Sequence, residues 1–326
     1  MPHFHTHKSD HLSVLLRTKH VLSSALTSMM TSNFSMSPSN SSDTKDYHTV
    51  LLVINSVVLL SGIISLSLMI HIMRFSAKSI TSTAVLNLIF THFVFLLTVP
   101  FRIYYYATQD WKLGHEWCRV ISGMIHIHMY MSFLFYVIIL VTRLLSFYYN
   151  YEVVASFQRF HGLLVSGVVW TVVLVVVPCI MCFAYGKKDV IPSSGGDRNT
   201  TQCFKFGKNI GDNAKVFNYI VSTLIILVAA VLTGLQANVL RVLYKKHREG
   251  CSSQQDFGAQ QKSLCFALVM VVCFIPYHMF RLKYINDIYL ENVNEVFLTL
   301  TTFNCLDMLT FLGRRTWFMC CPKVAF

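Results

Sequence analysis

Seven long apolar stretches alternate with polar segments along most of the chain. Each stretch is long enough to cross about 30 Å of hydrocarbon as a helix. Because backbone polar groups in lipid must be hydrogen-bonded within their own segment, we predict helices even where β-branched residues are frequent. The predicted helices cover residues 49–73, 80–107, 117–147, 160–185, 214–243, 262–284 and 294–313. The predicted fold class is therefore all-α: an integral membrane bundle of seven transmembrane helices.

Polar segments on either side of this bundle define the predicted domain organisation. Residues 1–46 are rich in Ser, Thr, His and Asn, which predicts a flexible tail. The transmembrane domain then covers residues 47–313, and residues 314–326 form a short tail that begins with an amphipathic helix. Within the bundle, Pro178 and Pro276 should kink the fourth and sixth helices, because proline cannot donate a backbone hydrogen bond.

The composition supports a membrane protein and argues against other classes. Hydrophobic residues make up 54% of the chain and charged residues only 13%, which is too little polar surface for a soluble protein. The net charge of +12 does not indicate nucleic-acid binding, because the basic residues lie in short segments between apolar stretches. No nucleophile, base and orienting group can be assembled, so no enzymatic activity is predicted.

Two features could suggest a metal site, and each has a simpler explanation. Cys179 and Cys182 form a C-x-x-C pair inside an apolar stretch without a second ligand pair, which favours helix packing. Four histidines of the N-terminal tail could also bind a metal, although a solvated tail is the simpler interpretation. These histidines are His3, His5, His7 and His11. We therefore expect no metal and no cofactor.

Three N-glycosylation sequons indicate the sidedness of the chain. Asn33 and Asn40 lie in the N-terminal tail, and Asn199 lies in the loop after the fourth helix. With an odd number of crossings, all three fall on one side of the membrane. We predict a plasma-membrane protein with an extracellular N-terminus and a cytoplasmic C-terminus, although the Lys and Arg counts of the two sides do not decide the orientation.

Several spaced motifs are typical of one receptor family. Residues 111–114 read Trp-Lys-Leu-Gly and are followed by Cys118, and Arg143 comes twenty-five residues later near the end of the third helix. Residues 273–276 read Cys-Phe-Ile-Pro. Over about residues 47–321 the chain resembles the rhodopsin-like (class A) G-protein-coupled receptors. The resemblance implies an extracellular ligand, activation of heterotrimeric G proteins, and a disulfide between Cys118 and Cys203.

The G-protein-coupling motif departs from the family pattern. The resemblance assigns Arg143 to the cytoplasmic end of the third helix, but Thr142 replaces the acid and Leu144 replaces the aromatic residue of the family triplet. Without that acid the inactive state loses its usual ion pair, which predicts measurable basal signalling. As an alternative, the arginine simply extends to the lipid headgroups.

The residues that match the family's activation switches are also partly altered. His92 stands where the family has a sodium-binding aspartate, which predicts no sodium site, because imidazole is a poor ligand for a hard cation. Alternatively, His92 only hydrogen-bonds a neighbouring helix. Phe274 and Pro276 match the sixth-helix kink motif, whereas the seventh-helix motif keeps Asp307 but has Phe311 instead of tyrosine.

A cluster of basic and aromatic residues predicts a ligand pocket near the outer end of the bundle. Buried cations there are costly unless an anion meets them, so a phosphate or carboxylate ligand, nucleotide- or lipid-like, is one explanation. Internal ion pairs with Asp287, Glu291 or Glu295 are the alternative. The candidate pocket residues are Arg102, His126, Tyr130, His278 and Arg281.

The C-terminal segment and the basic start of the third inner loop indicate contacts with the membrane surface. Cys320 and Cys321 are candidate palmitoylation sites, and residues 241–248 supply basic side chains for anionic lipids or a G protein. A transporter is a rival from another class, but no internal repeat supports it. A non-signalling binding receptor is a second rival, because the altered triplet around Arg143 and the absence of a proline at Met308 weaken the family's coupling pattern.

Overall fold

The computed structural model describes residues 41–73, 80–148, 158–183, 203–204, 212–248, 254–287 and 290–308. These residues form helices and short connections, with no strand among them. The chain divides into two compact units, Met1–Thr44 and Lys45–Phe326. Within the described ranges, six helices are long and apolar enough to cross a membrane. The seventh stretch is described as far as Met308.

The helices follow the predicted order. The first covers Ser41–Met73, the second Ile80–Leu96 and Val99–Thr108, the third His115–Tyr148, the fourth Gln158–Phe183, the fifth Asp212–Arg248 and the sixth Gln254–Cys273 and Ile275–Tyr284. The seventh begins as the α-helix Glu291–Leu300 and continues as the 3₁₀ helix Thr301–Met308. The predicted all-α membrane fold is confirmed.

The first helix starts before the predicted tail ends. It begins at Ser41, before the predicted end of the N-terminal tail at residue 46. The apolar pattern begins only near Val50, whereas the first turns are polar and include Asp43. Serine and aspartate favour a helix start, so the helix extends beyond its apolar part.

Prolines interrupt two helices, and the sequence predicts only one of these breaks. Pro276 follows the break at Phe274, as expected, because proline cannot donate to the carbonyl four residues earlier. Pro100 follows a similar turn at residues 97–98, where the sequence predicts one continuous helix. In contrast, the fourth helix continues through Pro178 without interruption.

The seventh helix tightens where a regular α-helix is predicted. From Thr301 onward it is a 3₁₀ helix of eight residues, longer than the three or four that are usual. The hydroxyls of Thr301 and Thr302 donate to carbonyls three residues back, each at 2.6 Å. These short side-chain bonds accompany the change in winding.

Apolar side chains cover the outside of the bundle, and polar ones lie within it. Leu60 and Leu163 are each 67% exposed, as expected for helix faces that meet lipid. His92, His128 and Asp307 are instead buried to 1% exposure. This arrangement is the reverse of that in a soluble protein and agrees with lipid as the surrounding solvent.

Candidate functional site

A cavity lies at the end of the bundle that carries the Cys118–Cys203 disulfide, here called the disulfide end. The second to seventh helices all contribute to its wall. Four of the five predicted pocket residues line it: Arg102, His126, Tyr130 and Arg281. Residues that the sequence does not single out also line it, including Asn218, Tyr277 and Asn294.

The disulfide holds an aromatic segment against this cavity. Cys118 at the start of the third helix is bonded to Cys203, with 5.7 Å between their Cα atoms. Phe204 follows with a φ of 69°, a left-handed conformation that is unusual for a bulky residue. Its ring packs edge-on against Tyr105 and Trp111 and lies 4.6 Å from the guanidinium carbon of Arg102. The segment therefore covers one side of the cavity.

Arg102 is neutralised within the protein. Its guanidinium donates to Glu295 on the seventh helix at 2.8 Å, and the Tyr106 hydroxyl donates to the same carboxylate oxygen. Arg102 is 1% exposed, so the pair replaces hydration that burial removes. The sequence leaves two explanations for a buried cation here, an anionic ligand or an internal ion pair. Arg102 forms the internal ion pair.

Arg281 lies on the sixth helix, at the wall of the same cavity. Its Nε and Nη2 atoms each lie 3.3 Å from the amide oxygen of Asn218, and its guanidinium carbon lies 5.1 Å from the ring centre of Tyr284. The guanidinium is buried and lies at the cavity wall.

The third-helix residues and His278 face in different directions. His126 and Tyr130 are both half-buried and line the cavity, and the His126 ring bonds to the Ser122 carbonyl at 3.1 Å. His278 does not line the cavity, although the three-residue spacing predicts that it shares a face with Arg281. Its Nδ1 lies 3.1 Å from the Ser222 hydroxyl on the fifth helix, so it joins two helices.

A second polar cluster lies in the core. Here His92 meets His128 of the third helix and Cys305 and Asp307 of the seventh. His92 therefore contacts neighbouring helices, which is the second of the two interpretations that the sequence allows. Imidazole and thiol groups do not suit sodium, which prefers oxygen ligands. No sequence spacing links His92, His128 and Cys305, so only the fold reveals this cluster.

The other predicted activation switches surround the same core. Phe274 is fully buried, and its ring contacts Phe133 and Tyr136 at centroid distances of 5.7 and 6.1 Å. Tyr136 also donates to the Asp307 carboxylate, so one side chain contacts both the sixth-helix break and the seventh helix. Pro276 lies at that break. The predicted switch Phe311 lies outside the described residues.

At the opposite end, here called the Arg143 end, amides connect three helices. Gln260 of the sixth helix donates to the Arg143 carbonyl at 3.5 Å, and Gln236 of the fifth helix donates to Gln260 at 2.6 Å. Thr142 donates to Ile138 and Ile139 carbonyls of its own helix. Within the described ranges no carboxylate pairs with Arg143, and Leu144 is buried.

The remaining predicted sites lie outside the described residues. They are the sequons Asn33, Asn40 and Asn199 and the candidate palmitoylation sites Cys320 and Cys321. Each stays a prediction.

The fold and these motifs agree with a family match that covers most of the bundle. The model of the 7 transmembrane receptor (rhodopsin family) matches residues 65–309, and the chain belongs to this family. It is thus a multi-pass membrane receptor of the G-protein-coupled class and not an enzyme.

Individual relatives are consistent with this assignment. The human probable G-protein coupled receptor 141 is 37% identical over 273 residues, which covers 80% of this chain and 87% of the relative. The mouse probable G-protein coupled receptor 34 is 25% identical over 84% of this chain and 77% of the relative. The human lysophosphatidic acid receptor 4 is 27% identical over 77% of this chain and 70% of the relative.

Proposed function

We propose that this receptor binds an anionic extracellular ligand in the disulfide-end cavity and responds by activating heterotrimeric G proteins. The observation that carries the proposal is the buried Arg281 guanidinium at the cavity wall, beside the Asn218 amide and the Tyr284 ring. A phosphate or carboxylate would add charge-assisted hydrogen bonds to it in a partly desolvated site. A guanidinium also matches such groups in shape.

The rest of the cavity favours a ligand with an anionic head and a less polar body. His126 and Tyr130 offer hydrogen bonds on one side, while Val177, Ile180 and Leu298 supply apolar contacts. One relative is a lysophosphatidic acid receptor, and that ligand combines a phosphate with an acyl chain. A nucleotide is a second anionic candidate. The acidic residues Glu291 and Glu295 also line the cavity and limit how many negative groups a ligand can carry.

This function requires that the disulfide end faces outward and the Arg143 end inward. A disulfide persists in an oxidising environment, which supports an extracellular position for Cys203. The predicted sequons fall on the same side. The N-terminus is then extracellular, and the half-buried Arg143 lies at the cytoplasmic surface where a G protein binds.

The test uses ligand pairs that differ only in charge. G-protein activation is measured in cells with 1-oleoyl lysophosphatidic acid against the corresponding monoacylglycerol, and with uridine diphosphate against uridine. We expect one anionic member to activate the receptor and its neutral partner to be inactive. Arg281→Ala should raise the half-maximal concentration by roughly tenfold to a hundredfold, the value of one or two hydrogen bonds to a charged group.

Lys283→Ala is the matched control, because Lys283 is an exposed cation on the same helix. Its response should equal that of the wild type. An active ligand whose potency does not change in Arg281→Ala contradicts the proposed role of this guanidinium.

A non-signalling binding receptor is a second candidate, favoured by one observation. Arg143 has Thr142 and Leu144 as its neighbours, where the family carries an acid and an aromatic residue. Saturable ligand binding without activation of any G-protein subtype, at normal surface expression, would support this alternative.

A further inference from the structure

Three metal-ligating side chains from three helices meet in the core of the bundle. His92 Nδ1 lies 2.9 Å from His128 Nε2, and Cys305 Sγ lies 3.5 Å from each of these nitrogens. The exposures of the three residues are 1%, 1% and 3%. We propose that His92, His128 and Cys305 form a binding site for a zinc ion, contrary to the expectation from the sequence that the protein has no metal site.

The distances are close to those that a tetrahedral zinc site requires. With Zn–N bonds of about 2.05 Å and a Zn–S bond of about 2.3 Å, the donor atoms lie ~3.3 Å apart for two nitrogens and ~3.6 Å apart for nitrogen and sulfur. The observed nitrogen–sulfur distances of 3.5 Å fit this geometry. The two nitrogens, at 2.9 Å, need to separate by only a few tenths of an ångström.

The residues around the ligands also suit a metal site. Metal-bound histidines usually direct their second ring nitrogen at a carboxylate, which fixes the ring and its tautomer. The Nε2 atom of His92 lies 3.4 Å from Asp307 Oδ1, within ion-pair distance of the carboxylate. The other oxygen of Asp307 accepts a hydrogen bond from the Tyr136 hydroxyl, so the carboxylate is itself held in place. This arrangement leaves Nδ1 of His92 to face the other two ligands.

The charges balance when the ion binds. Without the ion, one of the two rings donates to the other, which accounts for the 2.9 Å between His92 Nδ1 and His128 Nε2. Zinc displaces the Cys305 thiol proton, which is released to solvent, and the donating ring carries its one proton on its other nitrogen instead. The two positive charges then meet the Cys305 thiolate and the Asp307 carboxylate. A neutral set of this kind reduces the cost of burying the ion.

The ligand types select the class of ion. Imidazole and thiolate suit zinc and other late first-row metals, whereas sodium, magnesium and calcium prefer oxygen. Three protein ligands leave a fourth position for water. Because the ligands come from the second, third and seventh helices, a bound ion ties these helices together and stabilises the bundle by mass action.

The experiment measures metal binding by the full-length receptor without a polyhistidine tag. The four histidines of the tail are a competing site, so His3, His5, His7 and His11 are first replaced by glutamine in every sample. The chelator-stripped receptor is dialysed against zinc chloride and its bound zinc measured. The expected result is one zinc per receptor and a higher thermal unfolding temperature.

Variants then locate the ion. Cys305→Ser and His128→Asn should each weaken zinc binding at least about tenfold, and Asp307→Asn by about 10- to 100-fold. The matched controls Cys265→Ser and His126→Asn should retain the ion, since both side chains lie outside the cluster. Each variant is compared only if it elutes as a monodisperse receptor.

Cobalt(II) supplies a readout that needs no variant of the cluster. A thiolate ligand gives bound cobalt a charge-transfer absorption band, and tetrahedral coordination gives intense visible bands. We expect both in the receptor that keeps the cluster. The proposal is overturned if that receptor binds no zinc, if bound cobalt lacks the thiolate band, or if folded Cys305→Ser binds zinc as tightly as its parent.

Discussion

The ion pair between Arg102 and Glu295 joins the second and seventh helices beside the cavity. Its side chains are 1% and 15% exposed. Removing one charge leaves the other buried without compensation, which costs about 3 kcal/mol or more in buried pairs. We therefore expect Glu295→Gln to lower the thermal unfolding temperature of the purified receptor by several degrees.

An exposed ion pair provides the control for this measurement. Asp110 and Lys112 lie 3.6 Å apart, with side chains 36% and 73% exposed, so Asp110→Asn should change the unfolding temperature little. If Glu295→Gln and Asp110→Asn lower the unfolding temperature equally, then Glu295 does not compensate the buried charge of Arg102.

Thr142 determines whether Arg143 has an acidic neighbour. Its hydroxyl donates to carbonyls one turn back in its own helix. Thr142→Asp places a carboxylate beside the guanidinium and should favour the inactive state. We expect lower basal second-messenger levels than in the wild type at matched surface expression. Thr142→Asn, which has the same shape without the charge, should not reproduce the effect, and an unchanged basal level in Thr142→Asp contradicts the idea.

Individual site residues were predictable when helix spacing or a family motif fixed their position. Arg102, Arg281, His126 and Tyr130 all reach the cavity as predicted from their depth in the helices. His278 does not reach the cavity, because it faces Ser222 on the fifth helix. Local spacing does not determine which neighbour a side chain meets in space.

The core cluster could not be predicted from the sequence, because its contacts depend on helix packing and not on local spacing. His92 and Cys305 are 213 positions apart, and their contact depends on how three helices pack. The tight 3₁₀ winding of residues 301–308 also sets where Cys305 and Asp307 point. Neither factor is visible in the local sequence.

At the scale of elements, Gln260 links the sixth helix to the third and the fifth. It contacts the Arg143 carbonyl and the Gln236 amide, and both glutamines are buried. One such hydrogen bond contributes about 1 kcal/mol, which corresponds to about a fivefold change in an equilibrium constant. If the link favours the inactive bundle, Gln260→Ala should raise the ratio of active to inactive receptor, and with it basal signalling, by up to about fivefold.

Gln261 is the matched control for this variant. It is the next residue on the same helix and is exposed, so Gln261→Ala should leave basal signalling unchanged. A basal level that stays at the wild-type value in Gln260→Ala, with normal surface expression, would mean that the amide link does not restrain the sixth helix.

The sequence predicts the helices well because membrane thickness imposes their length and apolar character. Interruptions within helices are less predictable. A proline coincides with a break at Pro276 and just after one at residues 97–98, yet the fourth helix passes Pro178 unbroken. At the break before Pro100, the Thr98 hydroxyl donates to the Phe95 carbonyl at 2.6 Å, a contact that the local sequence pattern does not predict.

At the scale of the whole molecule, receptor function depends on which side of the membrane each end of the bundle faces. The cavity proposed to bind the ligand lies at the disulfide end, and the Gln236–Gln260 link lies at the Arg143 end. A receptor transmits a signal only if these ends lie on opposite sides. Seven crossings satisfy this requirement, and six of them are long apolar helices among the described residues.

The most direct test places one epitope tag at the N-terminus and a different tag at the C-terminus of the full chain. Antibody binding is measured on intact cells and again after permeabilisation. We expect the N-terminal tag to be accessible on intact cells and the C-terminal tag only after permeabilisation. Accessibility of both tags from the same face of intact cells would contradict the seven-crossing receptor described here.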